Sequence, residues 1–157
     1  MARRRRAVRR KIAPESRFGS KLLAKFINRV MLDGKKTTAQ KIVYGALDKF
    51  ASNVKKESPI EAFEEAIERA KPSLEVKSRR IGGATYQVPI EIPEDRRTSM
   101  AMKWIIGYAR DKVGRNMTDG LAQELTDVFN NQGSTMKKKD DTHRMAEANK
   151  AFAHYKW

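Results

Sequence analysis

The run from Ser73 to Pro93, SLEVKSRRIGGATYQVPIEIP, most limits what this chain can become. Leu74, Val76 and Ser78 alternate with Glu75, Lys77 and Arg79. Beyond two glycines, Tyr86, Val88, Ile90 and Ile92 alternate with Thr85, Gln87, Pro89 and Glu91. A period of two predicts strands. Gly82 and Gly83 supply the turn, because glycine reaches positive φ without steric cost. No other segment reads as a strand that would widen this sheet, and a lone two-stranded hairpin is marginal in water. Its base must therefore pack on helices while its tip projects. The tip carries Lys77, Arg79 and Arg80. A projecting basic arm suits contact with a large polyanion; the alternative is a solvated hairpin whose charges only maintain solubility.

The remainder reads as helices. Ser20 to Met31 carries one apolar stripe, Leu23, Phe26, Ile27, Val30 and Met31, with Ser20 as N-cap and Gly34 suited to a left-handed cap at the end. Thr37 to about Phe50 follows, with a capping box from Thr37 and Gln40 and a stripe of Ala39, Ile42, Val43, Ala46, Leu47 and Phe50. Ser58-Pro59-Ile60-Glu61 opens a third helix that ends at Ala70. Glu94 to about Val113 is the fourth, with Ala101, Trp104, Ile105, Tyr108 and Ala109 on one face. Thr118 to Asn130 is the fifth, with Leu121, Ala122, Leu125, Val128 and Phe129 inward. Ser134 to Asn149 or further is the sixth, carrying Met136, Met145 and Ala148. Phe152 is expected to pack; Tyr155 and Trp157 either pack or stack on a partner. The fold class is thus mainly α: a six-helix, bundle-like body of one domain, residues 1–157, with the hairpin between helices three and four.

Charge narrows the function. The chain holds 34 Lys and Arg against 19 Asp and Glu, a net +15. Residues 1–36 hold 13 basic and 2 acidic residues, whereas residues 57–70 hold 5 acidic and 1 basic. Solubility alone does not need such asymmetry. Arg3, Arg4, Arg5, Arg6, Arg9, Arg10 and Lys11 lie in a leader, residues 1–17, with almost nothing apolar, which predicts disorder in isolation. Lys35 and Lys36 stand at the start of the second helix, where free N–H groups and the dipole favour phosphate. No run of 18 apolar residues suggests a membrane span, and no apolar segment follows the arginines as in a signal peptide. With no cysteine, disulfides and thiolate chemistry are excluded. The chain reads as intracellular and soluble.

Catalytic motifs fail on inspection. Gly34-Lys35-Lys36-Thr37-Thr38 resembles the end of a phosphate-binding loop, but Arg29 stands where its first glycine belongs and Lys36 where Ser or Thr must follow the lysine. His143 and His154, eleven apart, fit no metal pair; the first suits a surface or partner contact, the second a packed terminus. Asp140-Asp141 and Glu94-Asp95 are adjacent on helices, so their members do not face one another. The chain reads as a non-enzyme that needs no cofactor or metal.

The cations cluster in the leader, at Lys35 and Lys36, on the hairpin, and at Arg96, Arg97, Arg110, Lys112 and Arg115, with a further patch at Lys137, Lys138 and Lys139. An extended basic face with arms suits a large folded RNA, read by shape and backbone. No helix reads as a DNA recognition helix. An architectural DNA protein is the main competitor, although Ile81 is the only candidate wedge near the tip and Pro89 lies well down the return strand. A scaffold for acidic proteins is the third reading.

Several separate motifs together resemble the bacterial form of ribosomal protein seven of the small subunit: Ser20-Lys21-Leu22, Phe26-Ile27, Gly34-Lys35-Lys36, Ile42-Val43 and Ala46; the run Glu75 to Pro89; Arg96-Arg97; and His143 to Phe152. The likeness covers essentially the whole chain. It implies a mostly helical protein with a protruding hairpin, a primary binder of small-subunit (16S) ribosomal RNA in its 3′ major domain that nucleates the head. It implies a cytoplasmic place at the subunit interface near the transfer-RNA exit site, with the ninth and eleventh small-subunit proteins as neighbours. Some members repress their own messenger RNA.

Site expectations follow. Arg3, Arg4, Arg5, Arg6, Arg9, Arg10, Lys11, Lys35, Lys36, Lys77, Arg96, Arg97 and Arg115 are the expected ribosomal-RNA contacts. Arg79, Arg80, Ile81, Gly82 and Gly83 form a hairpin tip for exit-site transfer RNA or a neighbouring protein. The resemblance adds His143, Arg144 and Lys150 as RNA or transfer-RNA contacts. The acidic third helix is expected to face away from RNA.

Overall fold

The computed structural model describes residues 11–56 and 58–155. Arg3, Arg4, Arg5, Arg6, Arg9, Arg10, Glu57 and Trp157 lie outside the described residues. The elements are α1 (Lys21–Val30), α2 (Lys36–Val54), α3 (Pro59–Ala70), β1 (Leu74–Ile81), β2 (Ala84–Glu91), α4 (Glu94–Arg110), α5 (Met117–Phe129) and α6 (Gly133–Ala148), followed by a 3₁₀ segment, Lys150–Tyr155. The fold is mainly helical with one two-stranded antiparallel hairpin between α3 and α4, as the sequence predicts.

α5 is the centre of the body, packed against α2, α3, α4 and α6. Leu121, Leu125 and Val128 on it are fully buried, with Leu47, Phe63, Ile67 and Ile105 from its neighbours. Phe26 of α1 meets Phe63 of α3 edge to face at 5.1 Å between ring centroids, a favoured aromatic geometry. α4 and α5 approach so closely that a Cβ on Gly120 would lie 2.8 Å from the Ala109 carbonyl oxygen. Only a glycine fits there without moving backbone.

The helix ends follow local chemistry with three corrections. The Ser20 and Ser58 side chains cap α1 and α3 by accepting from the Leu23 and Glu61 amides. α1 stops at Val30, however, and the positive φ of Asp33 and Gly34 turns the connection beyond it. α2 begins at Lys36, so Thr37 lies inside its first turn, and the N-cap Lys35 makes no side-chain cap. α2 also runs past Phe50, because Asn53 finds Thr126 of α5 at 3.4 Å; a polar last turn carries no apolar signal. On α4, Met102 and Ile106 are buried with Ala101, Ile105 and Ala109, while Trp104 and Tyr108 sit half-buried on the flank. On α6, Thr135, Met136, Thr142 and Ala146 face inward, and Met145 and Ala148 face solvent instead of filling the expected stripe.

The hairpin turns at Gly82-Gly83, both at positive φ, between the paired residues Ile81 and Ala84. Two positive φ values are what a two-residue primed turn demands. Register places Glu75, Lys77, Arg79, Tyr86, Val88 and Ile90 on one face, and Leu74, Val76, Ser78, Gln87, Pro89 and Glu91 on the other. The apolar halves of the two strands therefore lie on opposite faces. The ribbon is accordingly covered by two elements: α6 packs on both strands, with His143 at the root, and the 3₁₀ segment packs on β2 nearer the tip, at Tyr86. Tyr86 lies 5.3 Å from Phe152 and 5.1 Å from Tyr155 between ring centroids, so Tyr155 packs on the hairpin.

Candidate nucleic-acid interface

α1 is amphipathic in the strict sense. Leu23, Phe26, Ile27 and Val30 are buried, and Lys21, Lys25 and Arg29, spaced four apart, are exposed on the other side. A spacing of four aligns them in one row along the helix. Beside this row runs a groove of about 910 Å³ between α1 and the start of α4. Lys21, Lys25, Asn28 and Arg29 line it from α1, and Arg96, Thr98, Ser99 and the acidic Asp95 from α4. Arg29 donates to the Ser99 hydroxyl at 2.6 Å.

Two smaller grooves continue this surface. One, of about 210 Å³, lies between residues 12–16 and α2, and Ile12, Glu15, Asn28, Lys36 and Gln40 line it. Ile12 and Asn28 belong to both grooves, so they adjoin. The other, of about 330 Å³, lies at the far end of α1, where Arg110 and Arg115 meet Leu32 and Met117. Arg110 donates to the Val30 carbonyl at 3.1 Å and so caps α1. A net cationic surface thus follows α1 from end to end, with hydroxyl and amide groups and the carboxylates of Asp95 and Glu15 among the positive charges.

The expected residues divide among distinct places. Lys11, Lys36, Arg96 and Arg115 lie on or beside this surface. Lys35 is exposed next to Lys36, with Asp33 at 3.8 Å. Arg96 is already engaged: it grips the buried Glu75 at the hairpin root at 2.8–3.0 Å, while its side chain stays half exposed. Arg97 donates to the Ile92 carbonyl at 2.6 Å and secures the exit from β2. Lys112 turns inward to Glu124 and Asp127, at 3.0 and 3.2 Å, so it does not belong to an outward basic patch. Lys139 likewise donates to the Arg69 carbonyl.

A second region forms on the hairpin and α6. Lys77, Arg80, Gly82 and Gly83 are exposed and Ile81 is half-buried, while Arg79 donates to the Tyr155 carbonyl. His143 and Lys150 line a groove of about 490 Å³ with Leu74, Pro89 and Glu91. The His143 Nε2 accepts from the Ser73 amide at 3.0 Å, with the Ser73 hydroxyl at 3.2 Å. Burial, and then the charge of Lys139, pushes the His143 pKa below its ordinary value, partly opposed by Asp140. The ring is therefore neutral at pH 7. Arg144 is exposed, 3.7 Å from Asp141.

Two of the α3 acids, Glu65 and Glu68, are paired with cations of the chain, and Glu64 accepts from the Ser20 hydroxyl at 3.4 Å. Glu65 meets Lys56 and Arg69, and hydrogen bonds from those two hold its carboxyl below the usual range. Lys71 bridges Glu68 and Glu94. Lys21, Lys25 and Arg29 escaped the residue-by-residue reading of the cations. Their signal was present in the sequence, as a spacing of four opposite a stripe already identified.

Among the described residues no group of three or more His, Cys, Asp and Glu could hold a metal ion, and no helix is long and apolar enough to cross a membrane. The family model for ribosomal protein S7p/S5e matches residues 2–150. The chain belongs to that ribosomal protein family. Similar members of the S7p/S5e family include the small ribosomal subunit protein uS7 of Protochlamydia amoebophila, 67% identical over 157 residues and covering the whole of both chains. The protein of the same name from Chlamydia trachomatis serovar L2 is 62% identical over 155 residues, covering 98% of this chain and 99% of its own. That of Chlamydia abortus is 61% identical over 155 residues, with the same coverage. The S7p/S5e match takes in α1 and both flanking grooves, the hairpin and α6.

Proposed function

We propose that this chain is a structural constituent of the small ribosomal subunit, not an enzyme, and that it binds the 3′ major domain of 16S ribosomal RNA as a primary binder that nucleates the head. The observation that carries the reading is the cationic surface along α1, in a chain whose family and relatives are ribosomal. Lys21, Lys25, Arg29, Lys36 and Arg96 present charge, while Asn28, Thr98 and Ser99 offer neutral hydrogen bonds, a mixture suited to phosphate and ribose. The helices beneath are fixed by the α5 core, so the surface selects one RNA shape and holds it. Each phosphate neutralised releases condensed counterions, which makes affinity fall with salt.

The arginine leader adds charge that orders on RNA, which ties its folding to assembly. The hairpin tip and the end of α6, with Lys150 at the start of the 3₁₀ segment, reach a second partner near the subunit interface: exit-site transfer RNA or a neighbouring protein, the ninth and eleventh among them. α3 faces away from the RNA, because its acids would repel it. The protein's place is then in the cytoplasm, within the ribosome.

The test is competition with salt titration. A transcript of the 3′ domain is set against duplex DNA and an unrelated folded RNA of equal length. The reading expects the ribosomal transcript to win by several kcal/mol, with the preference surviving added salt. If all three polyanions compete alike and affinity collapses with salt, the protein is a generic basic binder and the architectural reading replaces this one. Within that assay, Lys35→Glu with Lys36→Glu is expected to weaken binding and flatten the salt slope; unchanged values would remove those two lysines from the interface.

A further inference from the structure

Glu15 precedes α1 and is only 6% exposed. One of its carboxylate oxygens accepts from the Tyr44 hydroxyl on α2 and from the Arg17 amide, and the other accepts from the Phe18 amide at 2.9 Å. The Glu15 carbonyl accepts from the Gly19 amide at 3.0 Å. Arg17 in turn forks onto Asp48 of α2 at 2.9 and 3.1 Å, with its guanidinium over the Phe18 and Tyr44 rings at 5.0 and 5.5 Å from their centroids. Burial alone would raise the Glu15 pKa, but the Tyr44 bond, the two amides and the Arg17 charge together bring it below the ordinary value. The carboxylate is ionised at neutral pH.

Capping does not require this assembly, since Ser20 already caps α1. What the clamp determines is where the upstream chain leaves the body. Ile12 lines both grooves that flank α1, so the backbone enters the clamp from across the cationic surface. Lys11 is four residues from Glu15 and therefore within about 14 Å of it at full extension. The six arginines at positions 3–6, 9 and 10 precede it directly.

We propose that Glu15, with Tyr44, is a positioning residue for RNA binding, fixing the leader's point of departure so that leader and α1–α4 groove engage one RNA together. The proposal rests on the RNA-binding reading above. Holding two charged sites at a short fixed separation makes the second contact intramolecular, and affinity gains from effective concentration without any new contact. The clamp residues themselves need not touch RNA.

The experiment is a double-mutant cycle on the full chain, read as affinity for the 3′-domain transcript. One variant is Glu15→Gln, another replaces Arg3, Arg4, Arg5, Arg6, Arg9 and Arg10 by Gln, and a third combines them. Positioning expects Glu15→Gln to weaken binding roughly fivefold when the leader is charged and by less than about twofold when it is neutral. An equal loss in both backgrounds marks Glu15 as merely structural and overturns the proposal, as does no loss in either. Should Glu15→Gln fail to fold by circular dichroism, Tyr44→Phe with Asp48→Asn keeps both turn bonds of Glu15 and takes its place in the cycle. An equal-length unrelated RNA runs alongside. If it binds as well as the ribosomal transcript, the ribosomal reading fails, yet the coupling between Glu15 and the leader is still measured on either RNA.

Discussion

Glu124 sits on α5 at 1% exposure, with one carboxylate oxygen accepting from the Thr135 amide at 3.2 Å and the Thr135 hydroxyl at 2.7 Å. Thr135 lies in the first turn of α6, so Glu124 supplies from another helix the cap that Gln132 does not. The second oxygen makes no aligned hydrogen bond and lies 3.0 Å from the Lys112 ammonium, a charge contact. Glu124→Ala would strand the Thr135 donors and leave Lys112 with Asp127 alone. The expected loss is about 3 kcal/mol, read as a lower urea midpoint at unchanged m-value. Glu124→Gln keeps an acceptor for Thr135 and forfeits only the charge, so about half that loss is expected. Equal losses in the two variants would mean that the ion pair, not the cap, holds α6. Here, then, is a lysine and a glutamate that look like surface charge in the sequence and serve as joints in the fold.

The hairpin is fastened at its root by His143 on Ser73, Arg96 on Glu75 and Arg97 on Ile92. The first of these depends on protonation, because Nε2 accepts only when it carries no proton. The folded His143 pKa lies below the ordinary 6.5. As pH falls, the unfolded chain takes up the proton first. The stabilisation is therefore complete above about pH 6.5 and is lost as pH drops through and below that value. His143→Ala is expected to cost about 1 kcal/mol at pH 7.5 and less at pH 5, with faster amide exchange at Ser73. A deficit that grows toward low pH would reverse the sign and refute the assignment. The hairpin itself was legible because a glycine pair between two alternating runs admits few other folds. Its two-sided cover was not, since register decides which apolar halves share a face and Glu75 reads as a solvent position. α6 was half legible for a related reason: its inward residues include Thr135 and Thr142, which hydrogen-bond and carry no apolar signal. The free cations were the least legible part of the interface. Lys25 and Lys112 look alike in the sequence, and only packing brings Glu124 and Asp127 to the second.

For the whole molecule the question is whether the net +15 matters as a sum or as a placement. The Debye length is about 8 Å at physiological ionic strength, so exposed charges farther apart than that act locally. The signs are unevenly placed. Lys21, Lys25, Arg29 and Arg96 outnumber the one acid, Asp95, that lines the large groove, whereas on α3 Glu65 is matched by Lys56 and Arg69, and Glu68 by Lys71. Two paired substitutions distinguish the cases. Lys25→Gln with Arg29→Gln lowers the net charge by two; Glu61→Gln with Glu68→Gln raises it by two. If the sum governs binding, the two variants change affinity for the 3′-domain transcript by similar factors in opposite directions. If placement governs, the first loses at least about tenfold and its salt slope shrinks by about two, one for each phosphate contact removed. The second then stays within about twofold with its slope unchanged, since no counterion is released where no phosphate approaches. Symmetric effects would mean that the protein has no RNA-facing side, and the surface along α1 would lose its claim. The asymmetric result would place the RNA over α1 and α4 and leave α3 outside, where Glu65 and Glu68 are already held by lysine and arginine of the same chain.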